Sequence, residues 1–254
     1  MLPSMLLIAT ALTEELEIVL NLCSSRTKIR GLGISIWEGV RGKKSLHILK
    51  LGAGPKRAAS ALERALAFMP AERILIIGYA GALDPDLRQG ELVAVEQATL
   101  LSDKTWGAPL TQLELGESWP LDSSKEICSM AHAAGLPIRC GSALTSFCVI
   151  GAPSHKHFLF QRFHTAIVDM ETAALARVAH SVAVPMSCVR AVSDEAGDDF
   201  LATLTYAPAD GSLRRAAKTL AAGGWLRRYS QWRERSLAAR QSLSRFLTCY
   251  LDQA

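Results

Sequence analysis

The residues best suited to chemistry in this sequence are acids and one arginine that stand where short apolar segments end. In chain order they are Glu14, Glu15, Asp169, Glu171, Arg190 and Asp194. Carboxyl groups can act as general acid or base, and fixed charges can stabilise charge that develops during a reaction. One such segment end carries little information, but several in one chain predict a common acid–base site.

The elements that must position these residues follow from the hydrophobic pattern. Short apolar, β-branched segments at 5–10, 73–77, 165–169 and 184–192 alternate with longer helical patterns. This alternation predicts an α/β fold, namely a single-domain three-layer sandwich with a mixed, largely parallel central sheet between helices. In open α/β sheets, ligands bind at the carboxyl ends of the strands. We therefore expect the acids and the arginine to meet at one edge of the sheet.

Other parts of the pattern predict connections. Two strands flanking residues 39–44 predict a hairpin. Gly52 and Gly54 lack the third glycine of a dinucleotide-binding loop, so they predict a tight turn before an alanine-rich helix. Residues 102–120 show no periodicity and predict a long loop.

Composition excludes several classes of protein. The chain has 254 residues, of which 49% are hydrophobic, and this excludes a disordered chain. No apolar run approaches the roughly 18 residues needed to cross a bilayer, and the apolar start lacks the cationic region of a signal peptide. Six scattered cysteines favour reduced thiols and a cytoplasmic location. The spacing of His155, His157 and His164 matches no metal-ligand set, so we expect no metal.

Charge is distributed unevenly along the chain. The net charge is +4, but residues 210–254 carry nine Lys or Arg against three Asp or Glu, which leaves −2 for residues 1–209. The main body therefore does not have the composition of a nucleic-acid-binding protein. Any affinity for a polyanion or a membrane surface would lie in the tail.

Four stretches of the sequence resemble the nucleoside phosphorylase/nucleosidase family, in the family's order and across residues 5–200. They are Thr10–Leu16, Gly78–Leu83 with Gly90–Val93, Val168–Ala174 and Pro185–Asp194. The resemblance is greatest to the 5′-methylthioadenosine/S-adenosylhomocysteine nucleosidases. It implies a homodimeric α/β enzyme, without metal or organic cofactor, that hydrolyses the N-glycosidic bond of an adenosine-type nucleoside and releases adenine.

The resemblance also implies a role for each matching residue. Asp194 would protonate purine N7, which requires burial or a substrate-induced shift because a free aspartate is ionised at pH 7. Glu171 would accept hydrogen bonds from the ribose 2′ and 3′ hydroxyls and stabilise positive charge on the sugar, against which Met170 would pack. Glu15 would act as base on the attacking water, oriented by Arg190. The other substrate-binding residues implied are Asp169, Tyr79, Ala80, Gly81, Ser193 and, through main-chain contacts to the base, Val149 and Ile150.

The same residues also have structural explanations that the sequence leaves open. Glu15, like Glu14, would stabilise the N-terminus of a helix through the helix dipole alone. Arg190 and Asp194 could form an ion pair that only holds the end of a strand.

Two alternative functions also stay open. The first is a phosphorylase on the same fold, and the second is a non-catalytic nucleoside-binding or membrane-docked protein. A phosphate nucleophile carries about two negative charges and calls for arginines or a donor-rich loop. The phosphorylase branch has Gly-Asp-Pro-x-Arg where residues 11–15 here are Ala-Leu-Thr-Glu-Glu, so the carboxylates favour water. Tyr79 replaces the small hydroxyl residue of the family, and its bulk would change the nucleophile pocket.

The basic tail predicts a boundary between residues 1–206, the family-like domain, and 207–254, a helical extension. One interpretation is that its helices pack on the body or on a partner subunit. The other is an interfacial helix that lies on an anionic membrane. The arginine-rich end also resembles the hopanoid-associated phosphorylase-like branch, which removes adenine from an adenosyl lipid precursor.

Overall fold

The computed structural model describes residues 5–105, 110–199 and 225–253, and in the last of these segments the side chains from residue 236 onward. Ten strands lie in these residues. They are β1 (Leu6–Thr10), β2 (Ser25–Ile29), β3 (Ser35–Arg41), β4 (Lys44–Lys50), β5 (Arg73–Ala82), β6 (Leu92–Leu101), β7 (Leu115–Pro120), β8 (Ile138–Thr145), β9 (Ile167–Asp169) and β10 (Met186–Asp194).

Six helices accompany the strands in the described part of the chain. They are α1 (Thr13–Leu22), α2 (Pro55–Phe68), α3 (Ser124–Ala133), α4 (Pro153–Phe163), α5 (Thr172–Ser181) and α6 (Trp225–Gln253). Proline occupies the first turn of α2 and α4, where its missing N–H leaves no intrahelical bond unmade. No described helix is both long and apolar enough to cross a bilayer.

The strands form one mixed sheet in the order β10-β6-β8-β9-β5-β1-β4-β3-β2, with β7 paired to β6. The centre is parallel, because β5 lies between β1 and β10 and runs parallel to both. The hairpin of β3 and β4 is antiparallel, as the sequence predicted. Since β10 pairs with both β5 and β6, the sheet curls back on itself. This brings the carboxyl ends of β5 and β10 side by side.

Helices cover the two faces of the sheet and complete three layers. On one face α2 and α5 pack together through residues such as Leu62 and Leu175. On the other face α1, α3 and α6 pack together, and Val19 and Phe246 are fully buried there. The predicted α/β sandwich with a mixed central sheet is confirmed.

In two segments the structure goes beyond what the sequence predicts. The prediction of a structureless loop at 102–120 is wrong in part, because Leu115–Pro120 forms β7 along β6. In the tail, the apolar residues of α6 from residue 236 onward lie in the core; they are Ala239, Leu243, Phe246, Leu247 and Leu251. That part of the tail packs on the body. The predicted boundary at residue 206 lies outside the described residues. The side chains of Trp225 and Trp232, on which the membrane interpretation depends, also lie outside the described part of the structure.

Candidate active site

A cavity of about 300 Å³ opens where β1, β5, β9 and β10 reach their carboxyl ends. Eleven of the twelve site residues predicted from the sequence line it: Glu15, Tyr79, Ala80, Gly81, Val149, Ile150, Asp169, Met170, Glu171, Ser193 and Asp194. The twelfth, Arg190, is buried behind two of the lining carboxylates. Most of the other lining groups are apolar, among them Leu12, Ala53 and Val168.

Glu15 stands in the first turn of α1 with only 1% of its surface exposed. Its Oε2 accepts the N–H groups of Ala11 at 2.9 Å and Leu12 at 2.8 Å, and its Oε1 accepts that of Tyr79 at 2.9 Å. Burial raises the pKa of Glu15 above its usual range, and the charge of Arg190 opposes this rise. The bond from Leu12 caps the helix, but the bond from Tyr79 on β5 goes beyond what capping requires.

Arg190 is held by acids on the β9–α5 connection. Its Nη2 lies 2.9 Å from Asp169 Oδ2 and 3.6 Å from Glu171 Oε2, and it donates to Thr172 Oγ1 at 2.9 Å. Its other terminal nitrogen and Glu15 Oε1 both lie against the backbone of Gly78. The alternative of an ion pair between Arg190 and Asp194 is wrong, because each pairs elsewhere. Arg190 instead places one positive charge among three carboxylates.

The oxygens of Asp169 are used within the protein. Oδ1 accepts the Thr145 hydroxyl at 2.8 Å, and Oδ2 accepts the Thr172 hydroxyl and pairs with Arg190. This carboxylate therefore holds Arg190 and the start of α5 in place.

Glu171 precedes α5 and is also buried. Its Oε1 accepts the N–H of Gly54 at 2.9 Å. The φ of Gly54 is +96°, a conformation that favours glycine. Burial raises the pKa of Glu171 to about 7, the charge of Arg190 lowers it, and that of Asp169 raises it. Near neutral pH this carboxyl can therefore exist in both protonation states.

Asp194 ends β10 and is 3% exposed. Its Oδ2 accepts a hydrogen bond from Lys156 Nζ at 2.5 Å, and its Oδ1 accepts one from Ser193 Oγ at 2.6 Å. Lys156 lies on α4 and is fully buried. This lysine is not among the site residues predicted from the sequence. The pattern that could have revealed it is its place on the apolar side of α4, three residues before the buried Leu159.

As far as the described residues go, the cavity is lined by no lysine or arginine, and no three His, Cys, Asp or Glu side chains come together as metal ligands. Its charged lining groups are carboxylates. Such a cavity is suited to stabilise a cationic fragment and to move protons through acids and bases.

Comparison with known protein families establishes the family of this chain. The model of the Phosphorylase superfamily matches residues 5–224. The chain belongs to the phosphorylase superfamily. The sequence resemblance to nucleoside phosphorylases and nucleosidases is thereby confirmed.

Within the superfamily, two kinds of named relative are similar to this chain. A futalosine hydrolase from Thermus thermophilus is 32% identical over 195 residues, which cover 73% of this chain and 85% of the relative. A 5′-methylthioadenosine/S-adenosylhomocysteine nucleosidase from Haemophilus influenzae is 27% identical over 206 residues, which cover 78% of this chain and 88% of the relative. Both names denote N-ribosyl hydrolases, and the predicted enzyme class is confirmed. Futalosine was not among the substrates considered from the sequence.

Solved structures show the same superfamily fold. The Helicobacter pylori 5′-methylthioadenosine/S-adenosylhomocysteine nucleosidase with butyl-thio-DADMe-Immucillin-A has a TM-score of 0.77 at 18% identity and covers 100% of both chains. Native futalosine hydrolase of the same species has a TM-score of 0.73 at 19% identity, over 99% of this chain and 98% of that one. At these identities the likeness concerns the fold alone.

Tyr79, whose bulk the sequence analysis expects to change the nucleophile pocket, belongs both to the cavity lining and to the core. It lines the cavity and also packs with the apolar cluster under α1, α3 and α6. Burial raises the pKa of its phenol, so the ring stays neutral at physiological pH. The tyrosine therefore fills part of the layer beneath the cavity.

Proposed function

We propose that this protein hydrolyses the N-glycosidic bond of an adenosine-type nucleoside and releases adenine. The observation that carries the proposal is the convergence of Glu15, Glu171 and Asp194 from distant parts of the chain on one largely apolar cavity. Breaking this bond builds positive charge on the ribose and negative charge on the leaving base. A site with carboxylates at one end and a proton-bearing cluster at the other stabilises both charges.

Each carboxyl group suits one task in this reaction. Glu171 accepts the ribose hydroxyls and places negative charge beside the sugar cation. Glu15 takes a proton from the attacking water, since its burial favours the protonated product. Asp194 delivers a proton to purine N7. Arg190 and Asp169 position Glu171 and do not themselves need to contact the substrate.

Water is favoured over phosphate as the nucleophile. A phosphate dianion would enter a cavity whose charged lining groups are carboxylates, and the guanidinium of Arg190 is already paired with Asp169 and Glu171. We expect adenine release at the same rate with and without phosphate, with ribose as the sugar product. An absolute need for phosphate, with ribose 1-phosphate as product, would establish the phosphorylase instead.

The 5′ substituent of the substrate is the finer part of the proposal. The apolar lining supports a 5′ group without charge near the ribose, such as the thioether of methylthioadenosine. Futalosine is the second candidate, because a relative at 32% identity is named for it. An adenosyl lipid is the third, and its support is the likeness of the basic tail.

The test compares kcat/KM for methylthioadenosine, S-adenosylhomocysteine, futalosine and a short-chain 5′-alkyl adenosine, with the released base identified by chromatography. A preference for futalosine would replace the adenine-releasing assignment. Absence of free base from all four at high enzyme concentration would favour the alternative of a non-catalytic nucleoside-binding protein. In that case Tyr79→Ser, which restores a small hydroxyl, should create turnover if the ring is what blocks it.

The assembly and location belong to the same proposal. Likeness to the nucleosidases supports a homodimer in the cytoplasm, and the basic tail supports a peripheral contact with anionic membranes. Light scattering of the full chain tests the first expectation. Sedimentation of the full chain with neutral and anionic liposomes tests the second, and equal partitioning would discard the membrane contact.

A further inference from the structure

Lys156 is a fully buried ammonium at the Asp194 end of the cavity. Its Nζ donates to Asp194 Oδ2 at 2.5 Å, to the carbonyl of Glu195 at 2.6 Å and to that of Asp198 at 3.4 Å. An ammonium has three donors, and here each of them has an acceptor. The group is thus saturated, and its side chain lies wholly inside the protein.

Burying a lysine is costly, and packing alone does not explain one here. A buried ion pair rarely stabilises a fold more than apolar residues of the same volume would. Lys156 is also the one cation that contacts Asp194 among the described residues. The hydroxyl of Ser193 lies 2.6 Å from Asp194 Oδ1 and 3.2 Å from the carbonyl oxygen of Ala80, so its single proton is shared between two acceptors. The salt bridge between Asp194 Oδ2 and the Lys156 ammonium is the interaction of an ionised carboxylate. A carboxylate has no proton to give to a leaving base.

We propose that Lys156 is the source of the proton that Asp194 passes to the leaving purine, so that the two side chains act together as one neutral acid. The inference rests on the proposed hydrolysis. Lys156 does not touch the substrate, and it acts as a positioning and proton-supplying residue behind Asp194.

Protons and electron pairs are conserved over one turnover. As the C1′–N9 bond breaks, its electron pair goes to the purine, N7 takes a proton from Asp194, and Asp194 takes one from Lys156 Nζ. The attacking water forms the new C1′–O bond and gives its proton to Glu15. The site then holds a neutral Lys156 amine and a protonated Glu15. Glu15 releases its proton to solvent and Lys156 takes one up, which restores the starting state.

The other charged groups around Lys156 do not compete for this role. Glu195 and Asp198 face it with backbone carbonyls, while their carboxylates accept from backbone N–H groups of Gln89 and Glu195. His155 and His157 flank it on α4, but each is more exposed than Lys156. Between Lys156 and the cavity, the group in contact with Nζ is the carboxylate of Asp194.

The test uses the full-length enzyme with Lys156→Arg, Lys156→Met and, as a control, Lys125→Met on the exposed side of α3. Arginine keeps the charge and the hydrogen bonds but does not give up its proton. We expect Lys156→Arg to lower kcat by about 100-fold with little change in KM, which is the range for losing general acid catalysis. Circular dichroism and thermal unfolding establish that each variant is folded, and Lys156→Gln replaces the methionine variant if that one is not.

The pH profile separates proton supply from a structural role. In Lys156→Met, Asp194 must take its proton from solvent, so kcat should fall about tenfold per pH unit across a range in which wild-type kcat is flat. A flat profile in this variant, or wild-type kcat in Lys156→Arg, overturns the proposal. If wild-type enzyme releases no base from any nucleoside, the proposed function itself fails. If wild type is active and the variants match it, only the proton source fails.

Discussion

The two ends of the cavity hold their carboxylates with different kinds of donor. Glu15 accepts three backbone N–H groups, one of them from Tyr79 on β5. Asp194 accepts from side chains, the ammonium of Lys156 and the hydroxyl of Ser193. Both carboxylates are buried, yet only one has a partner that can exchange protons.

This difference matches what each end must do in hydrolysis. Backbone amides are fixed dipoles that do not titrate near neutral pH, so they orient Glu15 without supplying a proton. An ammonium can give up a proton, so its contact with Asp194 can serve an acid. Glu15, the proposed proton acceptor, is therefore held by backbone N–H groups that do not titrate. Asp194, the proposed proton donor, is held by an ammonium that can exchange its proton.

The largest loss of activity should follow a change at Asp194, whose partner Lys156 can exchange protons. Asp194→Asn keeps the size of the side chain and an oxygen acceptor for Lys156, but it cannot relay a proton to N7. We expect kcat for adenine release to fall about 1,000-fold, within the range for losing general acid catalysis. The melting temperature should also fall, because the fully buried Lys156 loses its counter-charge, and circular dichroism establishes that the variant is folded. The exposed Asp86→Asn serves as control, and near wild-type turnover of Asp194→Asn would remove Asp194 from the mechanism.

A smaller loss of activity, together with a loss of stability, should follow at Glu15, which backbone N–H groups hold in place. In Glu15→Gln the amide nitrogen cannot accept, so at least one backbone N–H that now meets Glu15 loses its partner. We expect kcat to fall about 100-fold and the free energy of unfolding to fall by about 1–3 kcal/mol. Glu17→Gln on the exposed side of α1 is the control. An unchanged melting temperature would contradict the role given to the three N–H donors.

Glu171 predicts opposite pH dependences for activity and stability. Its folded pKa of about 7 lies above the reference value of 4.5, so the folded protein binds more protons between these values. Its contribution to stability is full below pH 4.5 and is lost as pH rises to 7, by about 3 kcal/mol.

Activity should follow the opposite course, because only ionised Glu171 stabilises the ribose cation. We expect kcat/KM to rise about tenfold per pH unit below pH 7 and to level off above it. In Glu171→Gln, chemical denaturation should show that the stability difference from wild type shifts in favour of the variant between pH 5 and pH 8. A shift in favour of wild type would show that Arg190, and not burial, dominates this group.

The sequence predicted which residues meet, and it did not predict how they pair. Glu15, Glu171 and Asp194 could be placed because strand ends converge in any sheet of this kind. The partner of Arg190 depends on side-chain direction within β10, which is why the sequence left an ion pair with Asp194 open as an alternative and did not predict the pairs with Asp169 and Glu171. Lys156 was not predicted as a site residue because a lone lysine in a helix is typical of a solvated surface.

The fold, too, could be predicted only in part from the sequence. The alternation of apolar segments predicted the mixed sheet and its covering helices, because a buried parallel strand needs apolar residues on both faces. The sequence predicts a loop at Leu115–Pro120 because β7 borders the sheet beside β6 with most of its side chains exposed. An edge strand of this kind carries no hydrophobic alternation for a sequence pattern to detect.

Strand β5 connects the two ends, and its glycines give the finest test of the comparison. Gly78 lies against Glu15 and Arg190, and Gly81 lies against Asp194. They are three residues apart, a separation of about 10 Å in a strand. A Cβ on Gly78 would stand 2.8 Å from Glu15 Oε1, and a Cβ on Gly81 would stand 3.0 Å from Asp194 Oδ2.

Because the Gly78 contact is closer and involves two charged groups, Gly78→Ala should lower both stability and kcat. Gly81→Ala should lower kcat about tenfold with a smaller loss of stability, since Asp194 must shift by only a few tenths of an ångström. Gly141→Ala is the matched control, because its Cβ would meet Ala166 at 3.0 Å in the interior, away from the cavity lining. It should lose stability and keep kcat. If Gly81→Ala loses stability but keeps kcat, as this control should, the added methyl group only crowds the interior. Such a result would contradict the dependence of proton transfer on the position of Asp194.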